Sequence, residues 1–350
     1  MTTVANIGEH ALIERIHARI PSPSVDILVG IGDDAAVLEP GRGKLTVVTT
    51  DGLVEGVHFN RNFCTPADIG HRALAVNLSD LAAMGAAPHY ILLSLALPPT
   101  TLLCDIDQMI DALLALATQH RAHLVGGNIT ASTEAPSLHL EVTAVGSVKR
   151  RCILTRNAAR AGDILYLSGD IGSAAAGLAS LQQRSDAQNH SDKDSASQAD
   201  MDRCHQRYRQ PNPRVRLGMA LGRNRAARAC IDLSDGLADA LHQVTNASRV
   251  GARINADALP IHPQTVQWFQ SVGADPLTEA LTRGDDYELL FTTPPSFRGR
   301  LSHVKKQVGD ISITPIGVIT KGQTVVLHQN GTDIPIPNGF EHFSESQNRR

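Results

Sequence analysis

Apolar side chains first recur at helical spacing over residues 9–20, where Leu12, Ile13, Ile16 and Ile20 share one face ahead of the breakers Pro21 and Pro23. Alternating or continuous apolar runs predict strands at 25–31 and at 45–50 (LTVVTT). Thr65-Pro66 supplies a capping hydroxyl and a proline at the first helical position, opening a helix that runs to Met84, with Gly85 near its end. A buried strand at 90–97 (YILLSLAL), a helix over 101–121 and strands at 123–127 and 138–148 complete the first half.

After Arg156 the pattern restarts. A strand at 164–169 leads through the glycine turn at 169–172 into a small-residue helix near 173–182. Residues 184–203 are rich in Ser, Asp and Gln and poor in large apolar side chains, the composition of a disordered insertion. Next come a helix after Pro213, the strand ACIDL, a helix from about Leu237, and strands at 286–293 and 313–320. Residues 344–350 read as a frayed tail. Strands and helices alternate in both halves, which predicts an α/β (α+β) fold in two domains, 1–155 and 156–343.

Composition narrows the function. The chain has 350 residues, enough to bury a core without disulfides, and its 32 basic and 35 acidic side chains leave a charge of −3. That balance argues against nucleic-acid binding by bulk charge, and 3% aromatic residues are too few for a base-stacking platform. Five cysteines with no C-x-x-C spacing read as reduced thiols of a soluble cytoplasmic protein. The N-terminus lacks the features of a secretory signal, and no apolar run approaches the roughly 18 residues of a membrane span.

The segment Gly30-Ile31-Gly32-Asp33-Asp34-Ala35, with Asp51 further on, imitates a dinucleotide-binding fingerprint. That fingerprint needs a helix facing the pyrophosphate, and only Ala35 to Glu39 precede Pro40-Gly41. Two carboxylates in the loop would also repel a pyrophosphate. The phosphate-binding P-loop, the protein-kinase catalytic loop and the nucleophile elbow are absent from the sequence. What remains is a set of acids beside strands and glycines: Asp33 and Asp34; Asp51 after Thr49 and Thr50; Asp80 with Asn77 in an apolar helix; Asp232, Ser234 and Asp235; Asp285, Asp286 and Glu288. Oxygen donors in this placement suit Mg²⁺, which keeps waters and substrate phosphates in its shell. Singly, each also reads as a turn or a helix cap. The stretch 169–179 reads either as an anion-binding helix start or as a close-packing turn.

Together, GIGDDAAVL (30–38), TTDGLVEGVHF (49–59), ALAVNLSDLAAMGAAP (73–88), GGNIT (126–130), LTRNAARAGD (154–163), IDLSDGL (231–237), GDDYELLFT (284–292) and GFEHF (339–343) closely resemble the thiamine-monophosphate kinase family. That family lies in the superfamily of aminoimidazole ribonucleotide synthetase and selenophosphate synthetase. The resemblance implies a two-domain fold with an N-terminal sheet domain that dimerises and a C-terminal α/β sandwich. It also implies Mg²⁺-dependent transfer of the ATP γ-phosphoryl group to thiamine monophosphate.

On that pattern Asp34, Thr49, Thr50, Asp51, Asp80 and Asp232 would bind Mg²⁺ and Asp235 a further ion, with Asp51, Asp80 and Asp232 as the catalytic core. Gly127, Arg156 and Ser234 would contact ATP, and His58, Glu288 and Phe340 would line the thiamine phosphate pocket. Where the family usually has Gly-Gly-Asp, this chain has Gly126-Gly127-Asn128, so Asn128 stands at an ATP and metal position without a charge. That departure keeps open a non-catalytic nucleotide or thiamine-phosphate sensor, and another synthetase of the superfamily also stays open.

Overall fold

The computed structural model describes residues 2–21, 24–32, 35–133, 137–188, 201–337 and 339. Asp33, Asp34, Phe340 and the tail 344–350 lie outside them. The chain divides into two compact units, Met1–Ala82 with Ala86–Arg151, and Ala83–Gly85 with Cys152–Arg350.

The N-terminal unit begins with α1 (Val4–His17) and a hairpin of β1 (Ile27–Val29) and β2 (Val37–Leu38). Strand β2 stands where a dinucleotide fold needs a helix, so the sequence imitates that fingerprint without its fold. The main elements are β3 (Leu45–Val54), α2 (Pro66–Ala83), β4 (Ala87–Leu97), α3 (Leu103–Gln119), β5 (His123–Ala131) and β6 (His139–Val148). The four-stranded sheet has the order β3-β6-β4-β5, antiparallel except for the parallel pair β4/β5. One face is buried through Leu53, Val142, Ala144, Ile91, Leu93 and Leu95. α2 covers this face closely: a Cβ on Gly146 of β6 would meet Leu81 of α2 at 3.2 Å, and one on Gly70 would fall 1.9 Å from the Met109 carbonyl of α3. On the opposite face Val48 and Leu92 remain 61% and 40% exposed.

The C-terminal unit contains β7 (Ile164–Ser168), α4 (Ser173–Gln188), α5 (Asp202–Arg209), α6 (Val215–Asn224), β8 (Cys230–Asp232) and α7 (Leu237–Ser248). It continues with β9 (Gly251–Asn255), α8 (Pro263–Ser271), α9 (Pro276–Thr282), β10 (Leu289–Thr293), α10 (Arg298–Val308), β11 (Ile313–Thr320), β12 (Val325–Gln329) and β13 (Thr332–Pro335). A seven-stranded mixed sheet, β13-β12-β9-β11-β7-β10-β8, packs its apolar side chains with Leu237, Leu241 and Val244 of α7.

The structure corrects four readings of the sequence. β3 runs through Val54 and β5 through Ala131, so Asp51 and Asn128 sit inside strands and not at their ends. Residues 286–288 precede β10, because Tyr287 has a φ of 49° that no ladder accommodates. The stretch 184–203 is not wholly a disordered insertion: α4 extends to Gln188, α5 starts at Asp202, and residues 189–200 lie outside the described ones. The physical reason is a core face on α5, formed by Cys204, His205 and Tyr208 with Met201 just before it. A Cβ on Gly177 of α4 would lie 2.1 Å from the Cys204 carbonyl, so the two helices touch backbone to backbone. His205 packs as a neutral ring beside Ser180, its pKa pulled down to about 4 mainly by burial.

Candidate active site

Strand alternation sorts the candidate residues of the N-terminal unit. Thr49 and Asp51 share the parity of Leu53 and face the helix-covered side, whereas Thr50 faces the open side. Asp80, on α2, accepts a hydrogen bond from the Thr49 hydroxyl. Strand and helix thereby bring a hydroxyl and two carboxylates, those of Asp51 and Asp80, to one side of the sheet. Thr50 instead donates to the Val142 carbonyl at 3.2 Å and meets the Thr143 hydroxyl at 3.0 Å. Asn77, fully buried, donates to the Ala73 carbonyl of its own helix at 3.0 Å. After β3 the chain turns at Gly56, whose φ is 82°, and returns His58 so that its Nδ1 accepts the Val54 amide at 3.1 Å.

Gly127 lies in one cross-strand row with Asp51, Val142 and Leu93. A Cβ there would stand 1.9 Å from the Leu93 carbonyl, so no other residue fits without moving a strand. Asn128 pairs with Ser94 and lies on the open face, in a groove of about 850 Å³ lined also by Gly30, Gly32, Tyr90, Leu92 and Glu141. The side chains of Thr50 and Asn128 are thus separated by the sheet from those of Thr49, Asp51 and Asp80.

In the C-terminal unit Asp232 closes β8, only 4% exposed and in register with Leu289. The loop that follows interlocks with residues 284–288. Ser234 donates to Asp235 at 3.2 Å, the Asp285 amide donates to the Ser234 carbonyl at 2.8 Å, and the Tyr287 amide to that of Leu233 at 2.9 Å. A Cβ on Gly284 would fall 2.0 Å from the Ser234 carbonyl, so glycine is required for the contact. Asp285 and Tyr287 both hold positive φ, 71° and 49°, a backbone cost that the surrounding bonds must offset. Arg156 donates to Gln243 of α7, which in turn donates to Asp239. Cys230, beside Asp232, is no nucleophile: complete burial, with the neighbouring carboxylate, pushes its thiol far above the usual range.

Glu288, which the resemblance places along the thiamine phosphate pocket, is fully buried, its carboxylate taken up by the chain's own donors. It accepts from Ser168 Oγ at 2.5 Å, from Arg207 Nη2 at 2.6 Å and from Arg214 Nε at 2.6 Å, with a second bond from Arg214 Nη2. Asp286 accepts from the amides of Gly172 at 2.9 Å and Ala174 at 3.5 Å, at the start of α4. Burial pushes the Asp286 carboxyl up to about 8 against the opposing pull of the Gly172 amide. The start of α4 is therefore capped by the chain's own carboxyl. A Cβ on Gly172 would meet Ala280 at 2.7 Å, which makes 169–172 a close-packing turn. Sequence reasoning missed Ser168, Arg207 and Arg214. Arginines flanking Pro211 and Pro213 were the only signal, and their partner lies more than seventy positions away, 81 and 74 residues along the chain.

Among the described residues no three His, Cys, Asp or Glu side chains gather as a metal cluster. The donors on the helix-covered side, Thr49, Asp51 and Asp80, are all oxygens, which fits Mg²⁺ and not a thiophilic metal.

The N-terminal domain of the AIR synthase related proteins matches residues 32–148, and their C-terminal domain residues 160–329. The thiamine-monophosphate kinase of Escherichia coli K12 is 36% identical over 344 residues, covering 96% of this chain and 98% of the relative. That of Bacillus subtilis is 35% identical over 350 residues, covering 96% and 100%. Among solved structures, the thiamine-monophosphate kinase of Stenotrophomonas maltophilia superposes with a TM-score of 0.80 at 40% identity, over 93% of this chain and 98% of that one. AaThiL complexed with AMPPCP and TMP gives 0.72 at 29% identity, over 98% and 99%. Identity of this level over nearly the whole of both chains places the chain in the thiamine-monophosphate kinase family, among the AIR synthase related proteins.

Proposed function

We propose that the chain transfers the γ-phosphoryl group of ATP to thiamine monophosphate, giving thiamine diphosphate and ADP, in the cytoplasm. The observation that carries this reading is the union of Thr49 with Asp80 on the face shared with Asp51, in a chain similar throughout to thiamine-monophosphate kinases. Thr49, Asp51 and Asp80, with Asp34, would hold Mg²⁺ on the N-terminal unit, the Thr50 side chain standing on the opposite face of the sheet, and Asp232 and Asp235 would hold it on the C-terminal unit. Held there, Mg²⁺ would offset the charge of two phosphate-bearing substrates.

The chain's own residues then have a positioning task. The acceptor oxygen of a phosphate monoester is already anionic at neutral pH, so no side chain need act as general base. Gly127 and Asn128 line the nucleotide's path on the sheet, with Arg156 and Ser234 as further ATP contacts. His58, its Nδ1 already occupied by the Val54 amide, presents its other ring nitrogen to the thiamine phosphate, and Phe340 supplies an aromatic face for the cationic ring. The reading includes direct in-line transfer between the two substrates, with no phosphorylated protein on the way. The reading includes a homodimer joined through the open sheet faces, supported by the exposure of Val48 and Leu92 there. It is tested by incubating the purified protein with ATP, Mg²⁺ and thiamine monophosphate and separating the products. Thiamine diphosphate and ADP in equal amounts support it, and substrates recovered unchanged refute it.

A further inference from the structure

Glu288 closes the loop 284–288 with every acceptor position of its carboxylate in use. Four donors, from Ser168, Arg207 and the two nitrogens of the Arg214 fork, occupy the roughly four lone-pair directions that a carboxylate offers. Space for this arrangement is reserved by Gly169, where a Cβ would lie 2.0 Å from Glu288 Oε1. The Ser168 hydroxyl also accepts the Leu289 amide at 2.9 Å, so the start of β10 is tied to the same knot.

The backbone of Glu288 carries the consequence onward. Its carbonyl accepts the Leu233 amide at 2.9 Å, next to the Tyr287–Leu233 and Asp285–Ser234 bonds. A loop with two non-glycine residues at positive φ is thus clamped at one end by an ion-pair knot and pressed along its length on Leu233 and Ser234. Arg207 also donates to the Asp286 carbonyl at 3.1 Å, adding a second hold on the strained backbone.

We infer that Arg207 and Arg214 are positioning residues: acting through Glu288, they hold loop 284–288 in its left-handed conformation and thereby set the placement of Asp232, Ser234 and Asp235. They touch none of those three side chains through any bond described above. The inference rests on the proposed function for its kinetic consequence, though not for its structural one.

The test uses the full-length protein with Arg214→Lys, which keeps the charge and removes the fork. Hydrogen exchange, read without any ligand, should show the amides of Leu233, Asp285 and Tyr287 losing at least tenfold in protection, with the β3–β6 ladder as an unchanged internal reference. In steady-state assays the KM for ATP should rise about tenfold while kcat stays within threefold and the melting temperature within a few degrees. Ser168→Ala, which removes one donor and leaves both arginines, should move the same amides and the same KM by a smaller factor of about three. Unchanged exchange at those amides in both variants would overturn the inference. So would a lowered melting temperature with KM and kcat intact, which marks a merely structural knot. A wild-type protein that makes no thiamine diphosphate would refute the proposed activity while leaving the exchange result to decide the positioning role.

Discussion

The hydroxyl of Thr49 donates to the carboxylate of Asp80, joining the middle of strand β3 to the last turn of helix α2. Threonine at this position orients the carboxylate, and the i, i+2 parity of the strand sets Asp51 on the same side. A site assembled from a strand and a helix is held more rigidly than one on loops alone.

Asp80→Asn keeps an acceptor for Thr49 and removes the charge. The catalytic rate should fall at least about a hundredfold, the scale of losing a preorganised electrostatic group. The urea unfolding midpoint should stay close to wild type. Steady-state kinetics beside an unfolding curve measures both, and a variant with near-normal kcat would remove Asp80 from the reacting centre.

Gly127 and Gly126 make a paired steric test. Ala at 127 drives a Cβ to 1.9 Å from the Leu93 carbonyl, whereas at 126 it meets the end of the Leu92 side chain at 3.0 Å. Gly127→Ala should cost about 1–3 kcal/mol or more of unfolding free energy, in the range of an overpacked core. Gly126→Ala should cost less, since a flexible tip can swing away. Equal losses in chemical denaturation would contradict the close approach of β4 and β5.

Asp286 predicts a pH dependence of stability. Burial raises its folded carboxyl to about 8 from 3.8, so the folded chain keeps a proton that the unfolded chain has released. Stability contributed by this group is full below the unfolded value and is lost as pH rises towards about 8. The slope over that window is at most about 1.4 kcal/mol per pH unit. Asp286→Asn, which still accepts the Gly172 amide, should flatten the profile. Thermal unfolding from pH 5 to pH 8 reads the difference.

Asn128 offers an amide where the family usually has a carboxylate. Asn128→Asp should lower the Mg²⁺ concentration for half-maximal activity several-fold, because a charged oxygen binds the hard cation more tightly. A Mg²⁺ titration at saturating ATP and thiamine monophosphate would expose it. No change would mean that the groove on the open sheet face does not receive the ion.

Much of the fold was legible because its long elements carry strong periodicity. α2 and α3 begin and end within a few residues of where their apolar stripes and the Thr65-Pro66 start place them. The strand ends were harder. Asp51-Gly52 and Gly126-Gly127 look like turns, yet pairing with β6 and β4 carries the ladder through both. α5 was hidden because its buried positions, Cys204, His205 and Tyr208, carry no large aliphatic side chain. Of the site, Thr49, Asp51 and Asp80 were readable as oxygen donors, and strand parity alone separates Thr50 from its two neighbours. The knot of Ser168, Arg207, Arg214 and Glu288 was not readable, since it depends on tertiary pairing between β7, α5 and the start of β10.

The most direct test of the account is a single-turnover experiment with ATP labelled in its γ-phosphate, thiamine monophosphate and Mg²⁺, quenched on the millisecond scale. The account predicts label passing straight to thiamine diphosphate, no label on the protein at any time or with ATP alone, and no transfer by Asp51→Ala. Label trapped on the protein, or released only as inorganic phosphate, would contradict it.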